Sequence, residues 1–290
     1  MQSPDLTIGG ALEIGRLRLS DVSSTPWLDA RILASHVTGL DASAVIAYDE
    51  CRLSQKQRRQ LFALLDRRAA GEPIAYLVGV KEFCGLRLAV NQHVLVPREE
   101  TETLVMAVAD DWRGQSIDVL DLGTGCGAIA CAIAHLLPRA RVLGTDVSDQ
   151  ALDVARHNVA SLGLGDRVAV CHADLFDGVG ASRKFDAIAA NLPYVGEEDT
   201  AMLERGVSEH EPSRALFAGA DGLDIYRRMF VEARGFLRPG AAVYCECSPL
   251  NAEELGVLAR ASFPTAEVAI KTDLSGLKRV VIVRTENSAA

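Results

Sequence analysis

The sequence predicts an α/β fold, in which a mostly parallel sheet is covered by helices on both faces and follows a small helical domain. Strand-like and helix-like segments alternate from about residue 101 onward. A glycine-rich turn joins the first strand to the first helix of this region, and repeated units of this kind form parallel sheets. The first 75 or so residues instead place apolar side chains at helical spacing. We therefore expect a ligand at the carboxyl ends of the parallel strands.

The chain divides into three predicted parts: an N-terminal helical domain (1–75), a hairpin linker (76–100) and a catalytic domain (101–290). In the first part, one helix covers 27–37 and stops before Gly39, and a second helix begins at Ser54. The alternation and turn-forming residues of 74–97 predict a short hairpin.

The catalytic part contains seven predicted strands, of which the last two pair as an antiparallel edge. The first of these strands ends at 119–120. The other six cover 141–145, 168–172, 185–190, 241–247, 267–271 and 280–284. The helices between them include 128–137, 150–162 and 223–237, and Arg238-Pro239-Gly240 is predicted to form a turn.

The composition and net charge of the chain limit the classes of function that it can have. Hydrophobic residues make up 49% of the chain and charged residues 24%, which is typical of a globular protein. No apolar run reaches the roughly 20 residues that cross a bilayer. Residues 1–5 show no secretion signal, so we expect a cytoplasmic protein without a membrane partner. The net charge of −9 argues against a nucleic-acid partner but leaves room for a local basic patch.

The seven cysteines include no CxxC pair. Cys245 and Cys247 alternate along a predicted strand and would share one face. We interpret the cysteines as buried reduced thiols, with a metal or redox site as the less favoured alternative, and we expect no metal cofactor.

The glycine-rich turn reads Asp121-Leu122-Gly123-Thr124-Gly125-Cys126-Gly127. Glycines between a strand and a helix let a ligand lie against the backbone at the helix N-terminus. The same glycines also satisfy a dinucleotide pattern, so they are ambiguous by themselves. Asp121 separates the two interpretations, because a carboxylate there would repel a pyrophosphate but suits a ligand with ammonium and sulfonium groups. S-adenosylmethionine is such a ligand.

Two further carboxylates follow the next strands. Asp146 lies 19 residues beyond Gly127, where it can accept hydrogen bonds from both ribose hydroxyls of a nucleoside. Asp174 follows the third strand and would meet the adenine edge, although a helix N-cap remains the structural alternative. Together with the glycine turn, these positions predict a nucleoside cofactor.

The fourth strand ends in Asn191-Leu192-Pro193-Tyr194. An amide nitrogen is a poor nucleophile because its lone pair is delocalised. Asn191 Oδ1 and the Leu192 carbonyl could each accept one N–H of such a nitrogen, and Tyr194 could lie against its flat group. Catalysis would then consist of positioning for an in-line displacement, without a metal or a covalent nucleophile. An ordinary turn with a packed tyrosine is the alternative.

These motifs resemble those of the peptide chain release factor glutamine N5-methyltransferases (the PrmC/HemK family), and the similarity covers nearly the whole chain. The motifs outside the glycine turn and the Asn191 loop are Glu72-Pro73-Ile74-Ala75-Tyr76-Leu77, Lys81-Glu82-Phe83, Leu95-Val96-Pro97-Arg98, Thr101-Glu102, Glu211-Pro212, Gly222-Leu223-Asp224, Asp273-Leu274-Ser275-Gly276 and Arg279-Val280-Val281. The glycine turn is shared by many methyltransferases. The N-terminal segments combined with the Asn191 loop are much more specific.

The resemblance implies a Rossmann-like class I S-adenosylmethionine-dependent methyltransferase domain with a seven-stranded sheet. It also implies an N-terminal domain that docks a class I release factor. The substrate would be the glutamine of a Gly-Gly-Gln loop, and the product S-adenosylhomocysteine; we expect a monomer. By position, the cofactor would be held by Asp121, Gly123, Thr124, Gly125, Cys126, Gly127, Asp146, Asp174, Leu175 and Asn191. Asn191, Leu192, Pro193 and Tyr194 would form the glutamine clamp, with Asn191 and Tyr194 as catalytic residues.

Three positions depart from the family pattern. Leu192 replaces the first proline of the usual Asn-Pro-Pro-Tyr loop, which keeps the main-chain carbonyl but lowers loop rigidity. Glu99-Glu100 replace Pro-Asp, and Leu175 stands where some members carry an aromatic residue.

Other functions remain open at this stage. A glutamine of another protein, such as a ribosomal protein, or an adenine N6 of nucleic acid poses the same chemical problem to the loop. A nicotinamide-dependent oxidoreductase and a cofactor-binding module without catalysis are weaker alternatives.

Overall fold

The computed structural model describes residues 6–196 and 205–286, which divide into two compact units. One unit comprises 6–80 with 205–210, and the other comprises 81–196 with 211–286. The interpretation of residues 1–5 lies outside the described residues. The proposed boundaries at 75 and 100 stay predictions.

The α-helices of the described residues, in chain order, are α1 (Ile8–Leu19), α2 (Pro26–Thr38), α3 (Ala42–Ala47), α4 (Gln55–Ala69), α5 (Ile74–Val78), α6 (Glu102–Asp111), α7 (Ala128–Leu136), α8 (Asp149–Ser161), α9 (Arg205–His210), α10 (Asp224–Ala233) and α11 (Ala252–Ser262). The strands are β1 (Val80–Phe83), β2 (Leu86–Ala89), β3 (Asp118–Leu122), β4 (Arg141–Asp146), β5 (Val168–His172), β6 (Phe185–Ala190), β7 (Leu237–Glu246), β8 (Glu267–Thr272) and β9 (Lys278–Arg284).

The first unit is helical, as predicted. Gly39 ends α2 in the left-handed conformation at φ 74°, and Ser54 caps α4 through a capping box with Gln57. Leu33 and Leu65 are fully buried in the core of this unit.

The predicted hairpin is shorter than the segment assigned to it. Strands β1 and β2 form a two-stranded sheet, but residues 74–78 form the helix α5. Pro73 suits the start of a helix, and Gly79 ends it at φ 75°. Pro73 and Gly79 therefore favour a helix in this segment, although its residues alternate as in a strand.

The second unit contains a seven-stranded sheet in the order β5-β4-β3-β6-β7-β9-β8. Strands β3 to β7 are parallel, and β9 runs antiparallel between β7 and β8. This confirms the mostly parallel sheet with an antiparallel edge. The strand order reverses between β3 and β6, and the crevice at their carboxyl ends is where such sheets bind ligands.

The predicted end of the helix 223–237 and the predicted turn at 238–240 are both wrong. Helix α10 ends at Ala233, a short 3₁₀ turn follows, and β7 already begins at Leu237. Leu237 pairs with Phe185 before the register shifts, and Gly240 takes φ 74° in this irregular stretch. Pro239 is therefore accommodated inside a strand, because the irregularity removes the need for its missing N–H.

Candidate active site

A cavity opens at the carboxyl ends of β3 and β6, where the strand order reverses. Ten predicted site residues line it: Gly123, Thr124, Gly125, Cys126, Asp146, Asp174, Leu175, Asn191, Leu192 and Pro193. Asp121, Gly127 and Tyr194 are not among the lining residues. The structure therefore gathers most of the predicted site, whereas contact of each residue with a ligand stays a prediction.

The glycine turn leaves β3 at Leu122 and opens α7 at Ala128. Gly125 has φ 56°, a backbone conformation that L-residues rarely adopt. A Cβ built on Gly125 would meet only the Gly123 carbonyl oxygen, at 4.0 Å. The backbone there faces open space, so the turn has the form of a cradle that a ligand can approach closely.

Asp146 holds the glycine turn from the end of β4. One carboxylate oxygen accepts the Gly125 N–H at 2.9 Å, and the other accepts the Ser148 N–H at 2.9 Å. The carboxylate is half-buried and lines the cavity. Its remaining lone pairs are available to hydroxyl groups of a ligand.

Asp174 and Leu175 follow β5 on the same side of the cavity. Asp174 forms an ion pair with Arg228 at 2.9 Å, and both side chains are more than half exposed. Leu175 is buried and has φ 52°, one of two non-glycine residues with a positive φ among the described residues. The apolar Leu175 side chain and the charged Asp174 therefore occupy adjacent parts of the wall.

Asp121 lies beneath the turn and outside the cavity lining. Its Oδ2 accepts the Thr124 hydroxyl at 2.5 Å and the Ala130 N–H at 3.1 Å. Its buried Oδ1 has no hydrogen-bond partner within the described part of the chain. Burial raises the pKa of Asp121 to about 7, and the two hydrogen bonds only partly oppose that shift.

The loop Asn191–Tyr194 is fixed by side chains from distant segments. Asn191 Nδ2 donates to Thr101 Oγ1 at 3.2 Å, and no described residue donates to Asn191 Oδ1. The Leu192 N–H donates to the Tyr226 hydroxyl at 3.3 Å, and that hydroxyl donates to the backbone carbonyl of Glu246 at 2.6 Å. The start of the loop is thereby tied to the end of β7.

Tyr194 is not among the residues that line the cavity, and its side chain contacts the end of β7. Its hydroxyl donates to Glu246 Oε1 at 3.2 Å, and its carbonyl accepts Asn251 Nδ2 at 3.1 Å. Burial and the neighbouring carboxylate raise the pKa of Tyr194 above its usual range. The hydroxyl therefore acts as a hydrogen-bond donor rather than as an acid.

Sequence reasoning missed Glu246, Tyr226 and Asn251 and gave Thr101 no role. A signal existed for Glu246, because a glutamate between two cysteines interrupts an apolar strand at its carboxyl end. Tyr226 and Asn251 carried no comparable signal, since each belongs to an ordinary helix or helix end.

Two of the motif segments meet beside the cavity. Arg98 Nη2 donates to Glu211 Oε1 at 2.5 Å, and the Val96 N–H donates to Glu211 Oε2 at 3.1 Å. The Glu211 side chain is 1% exposed. This pair of a buried carboxylate and a partly exposed guanidinium joins the segment before α6 to the segment after α9.

The described residues hold neither a cluster of metal-ligating side chains nor a membrane-spanning helix. No group of three or more His, Cys, Asp or Glu side chains in 6–196 and 205–286 could hold a metal ion. Over those residues no helix has the length and apolar character to span a bilayer.

Comparisons with known proteins agree with this geometry. Residues 10–79 match the PrmC N-terminal domain family, and residues 119–209 match a methyltransferase domain family. The release factor glutamine methyltransferase of Rhodopirellula baltica is 38% identical over 264 residues, covering 89% of both chains. That of Caulobacter vibrioides is 37% identical over 279 residues, covering 96% of both.

A solved structure shares the fold at lower identity. The T. Thermophilus 16S rRNA N2 G1207 methyltransferase, in complex with AdoMet and guanosine, is 18% identical with a TM-score of 0.53 and covers 71% of this chain and 50% of that chain. The cradle at Gly125 and the Asp146 carboxylate suit the backbone and the hydroxyls of a nucleoside cofactor. This chain is an S-adenosylmethionine-dependent methyltransferase and belongs to the release factor glutamine methyltransferase family.

Proposed function

We propose that this protein methylates the side-chain amide nitrogen (N5) of the glutamine in the Gly-Gly-Gln motif of class I peptide chain release factors. The reaction supports translation termination and leaves S-adenosylhomocysteine. The observation that carries the proposal is Asn191 Oδ1, which lies in the cavity lined by the glycine turn and accepts no hydrogen bond from residues 6–196 and 205–286. An acceptor in this place suits a substrate whose reacting group carries N–H bonds.

The glycine turn and the cavity-lining carboxylates Asp146 and Asp174 would hold the cofactor. The backbone of Gly123 to Gly127 would lie against it, and Asp146 would accept hydrogen bonds from its ribose hydroxyls. Asp174 and Leu175 would contact the adenine, and Asn191 would contact both cofactor and glutamine. Asp121 would support the site from below, by accepting the Thr124 hydroxyl and so holding the turn in place. The cofactor supplies a methyl group on a sulfonium.

The clamp makes the glutamine amide reactive by orienting it. Asn191 Oδ1 and the Leu192 carbonyl each accept one N–H, which turns the nitrogen lone pair toward the methyl group. The Leu192 side chain is buried, and a Cβ built on Gly123 would lie 3.0 Å from its Cδ2. Packing against the turn compensates in part for the missing proline. Pro193 shapes the loop, and Tyr194 supports the clamp through Glu246.

The N-terminal unit docks the release factor in this proposal. The exposed cations Lys56 and Arg59 of helix α4 suit an acidic partner surface, whereas Arg67 and Arg68 already pair with Glu72 and Asp29. The protein acts in the cytoplasm as a monomer, with no direct nucleic-acid or membrane partner. The three-part division at 75 and 100 belongs to the same proposal.

Intact-mass analysis of an unmethylated class I release factor tests the reaction. After incubation with this protein and S-adenosylmethionine, we expect one added methyl group. A release factor whose Gly-Gly-Gln glutamine is replaced should gain none. No mass change on the first substrate, with cofactor binding verified by calorimetry, would reject this substrate in favour of another protein, a nucleic acid or a module without activity.

The variant Asn191→Ala tests the clamp. It should abolish methyl transfer while cofactor affinity changes far less, because the variant removes an acceptor for the reacting amide. Turnover close to that of the native protein would contradict the clamp.

A further inference from the structure

A buried asparagine connects two walls of the cavity without lining it. Asn158 lies in α8, is 1% exposed, and is not among the lining residues. Its Nδ2 donates to the Cys126 carbonyl at 2.8 Å and to the Ala89 carbonyl at 3.0 Å. Its Oδ1 accepts the Ala89 N–H at 2.7 Å. Both hydrogens and the oxygen of this side-chain amide are therefore in use.

The first of the two walls is the glycine turn. The Cys126 carbonyl lies between Gly125 and Gly127, which have φ angles of 56° and 81°. Glycines have many alternative conformations, so a turn built from them needs partners that hold it in one. Asp146 binds the Gly125 N–H from the end of β4, and Asn158 binds the Cys126 carbonyl from α8. Side chains from two separate elements thus fix the backbone of the turn.

The second wall is the segment 90–98 that follows β2, which we call the strap. Five of its residues line the cavity: His93, Val94, Leu95, Pro97 and Arg98. Near its end, the Val96 N–H donates to Glu211 Oε2 at 3.1 Å. At its start, Asn158 both accepts from and donates to Ala89, as a residue of a neighbouring strand would. The strap is therefore held at both ends by side chains from other segments.

An amide side chain is needed to make this set of bonds. An ionised aspartate could accept the Ala89 N–H, but it would face two carbonyl oxygens with no hydrogen to donate. A leucine of similar size would make none of the three bonds. Helix α8 is also close enough to anchor the turn, because a Cβ built on Gly127 would lie 3.3 Å from the Ala155 Cβ.

We propose that Asn158 is a positioning residue for S-adenosylmethionine, which holds the glycine turn and the strap together so that the cavity has its shape before the cofactor binds. The inference rests on the proposed placement of the cofactor at the glycine turn. Asn158 acts through the Cys126 carbonyl and the Ala89 peptide rather than by contact with a ligand. Without it, both walls would have to be ordered during binding, and the cost of that ordering weakens affinity.

This role separates cofactor binding from turnover. The Asn191 loop is held by other side chains, since Thr101 accepts Asn191 Nδ2 and the Tyr226 hydroxyl accepts the Leu192 N–H. Loss of Asn158 should therefore raise the KM for the cofactor. The kcat for the release factor, measured at saturating cofactor, should change much less.

The variants Asn158→Asp and Asn158→Leu test the proposal, with Asp153→Asn as the matched control. Asp153 lies in the same helix, and its side chain is 75% exposed. In calorimetry, the Kd for S-adenosylmethionine should rise about 10- to 100-fold in both Asn158 variants, because the carbonyls of Cys126 and Ala89 lose their donor. Each variant is measured at a temperature at which circular dichroism shows it to be folded, so a loss of stability does not enter the Kd.

The control should keep its Kd within about twofold of the native value, since an exposed ion pair contributes little. A Kd in the two Asn158 variants equal to that of Asp153→Asn would overturn the proposal. If the native protein itself binds no S-adenosylmethionine, the placement of the cofactor fails instead. The two failures are therefore distinguishable, and neither depends on which protein is methylated.

Hydrogen exchange in the native protein tests the connection without a variant. The Ala89 amide lies outside the cavity lining and donates to Asn158 Oδ1. Saturation with S-adenosylmethionine should slow its exchange about threefold or more, because stabilising the turn and the strap also stabilises the bonds that join them. Exchange at Ala89 that does not change at saturating cofactor would overturn the proposal, even if no Asn158 variant folds.

Discussion

The substitution Gly144→Ala should disturb the cofactor turn from below. Gly144 lies in β4, and a Cβ built on it would lie 2.7 Å from Thr124 Oγ1, 3.0 Å from Thr124 Cβ and 3.2 Å from Thr124 Cγ2. Ordinary contacts of a Cβ begin near 3.4 Å, so Thr124 must move. Thr124 is also fixed, because its N–H donates to the Thr145 carbonyl at 2.8 Å and its hydroxyl to Asp121.

The expected cost has two parts. Insertion of a methyl group into a packed interior costs about 1–3 kcal/mol. Displacement of Thr124 also breaks its hydrogen bond to the buried Asp121, whose Oδ2 then keeps only the Ala130 N–H, and the loss of such a bond costs about 1 kcal/mol. We therefore expect the free energy of unfolding to fall by roughly 3 kcal/mol. Cofactor affinity should fall as well, since Thr124 lines the cavity.

Urea denaturation measures this change as a shift in the midpoint concentration of urea, provided that the slope of the free energy of unfolding against urea concentration stays constant. Gly165→Ala is the matched control, because a Cβ there meets nothing within 4 Å, and it should change stability by less than about 0.5 kcal/mol. Thr124→Ala removes the clashing Oγ1 and Cγ2, so the double variant with Gly144→Ala should lose less than the sum of both. A Gly144→Ala variant as stable as the control, or strict additivity, would refute the reasoning.

Three further predictions concern buried polar groups. The pKa of Asp121 is raised from 3.8 to about 7 in the folded protein. The protonated group therefore stabilises the fold below about pH 4, and this contribution of roughly 4 kcal/mol is lost as the pH rises to about 7. Asp121→Asn should therefore flatten the decrease of stability over this range in urea denaturation, and an unchanged slope would contradict the raised pKa. Glu211→Ala leaves the Arg98 guanidinium and the Val96 N–H without their acceptor, so the free energy of unfolding, measured by thermal unfolding, should fall by about 3 kcal/mol. A loss below about 1 kcal/mol would show that water replaces the Glu211 carboxylate as the partner of these groups. Tyr244→Phe removes the hydroxyl that donates to Asp111 at 2.8 Å and accepts Trp112 Nε1 at 3.0 Å, so about 2 kcal/mol should be lost, and a neutral effect would argue against this bond network.

Local patterns carry much of the information about this chain. The glycine turn, Asp146 and the Asn191 loop are recognisable because each follows a strand, and parallel strands bring their carboxyl ends to one edge. The structure gathers these residues around one cavity. The same local reasoning placed Asp121 beside the cofactor, although its side chain is buried beneath the turn. The direction of a side chain at a strand end depends on the elements packed around it.

The sequence by itself determined the class of fold, the order of the seven strands of the large sheet along the chain, and the family, because periodicity and short motifs are properties of neighbouring residues. Only the tertiary structure decided what supports the loop. Thr101 reaches Asn191 across 90 positions, and Glu246 reaches Tyr194 across 52. It also placed the start of β7 at Leu237, where pairing with Phe185 outweighs the local turn signal. Hydrogen bonds and burial between distant segments exist only after the sheet has formed, so no local pattern encodes them.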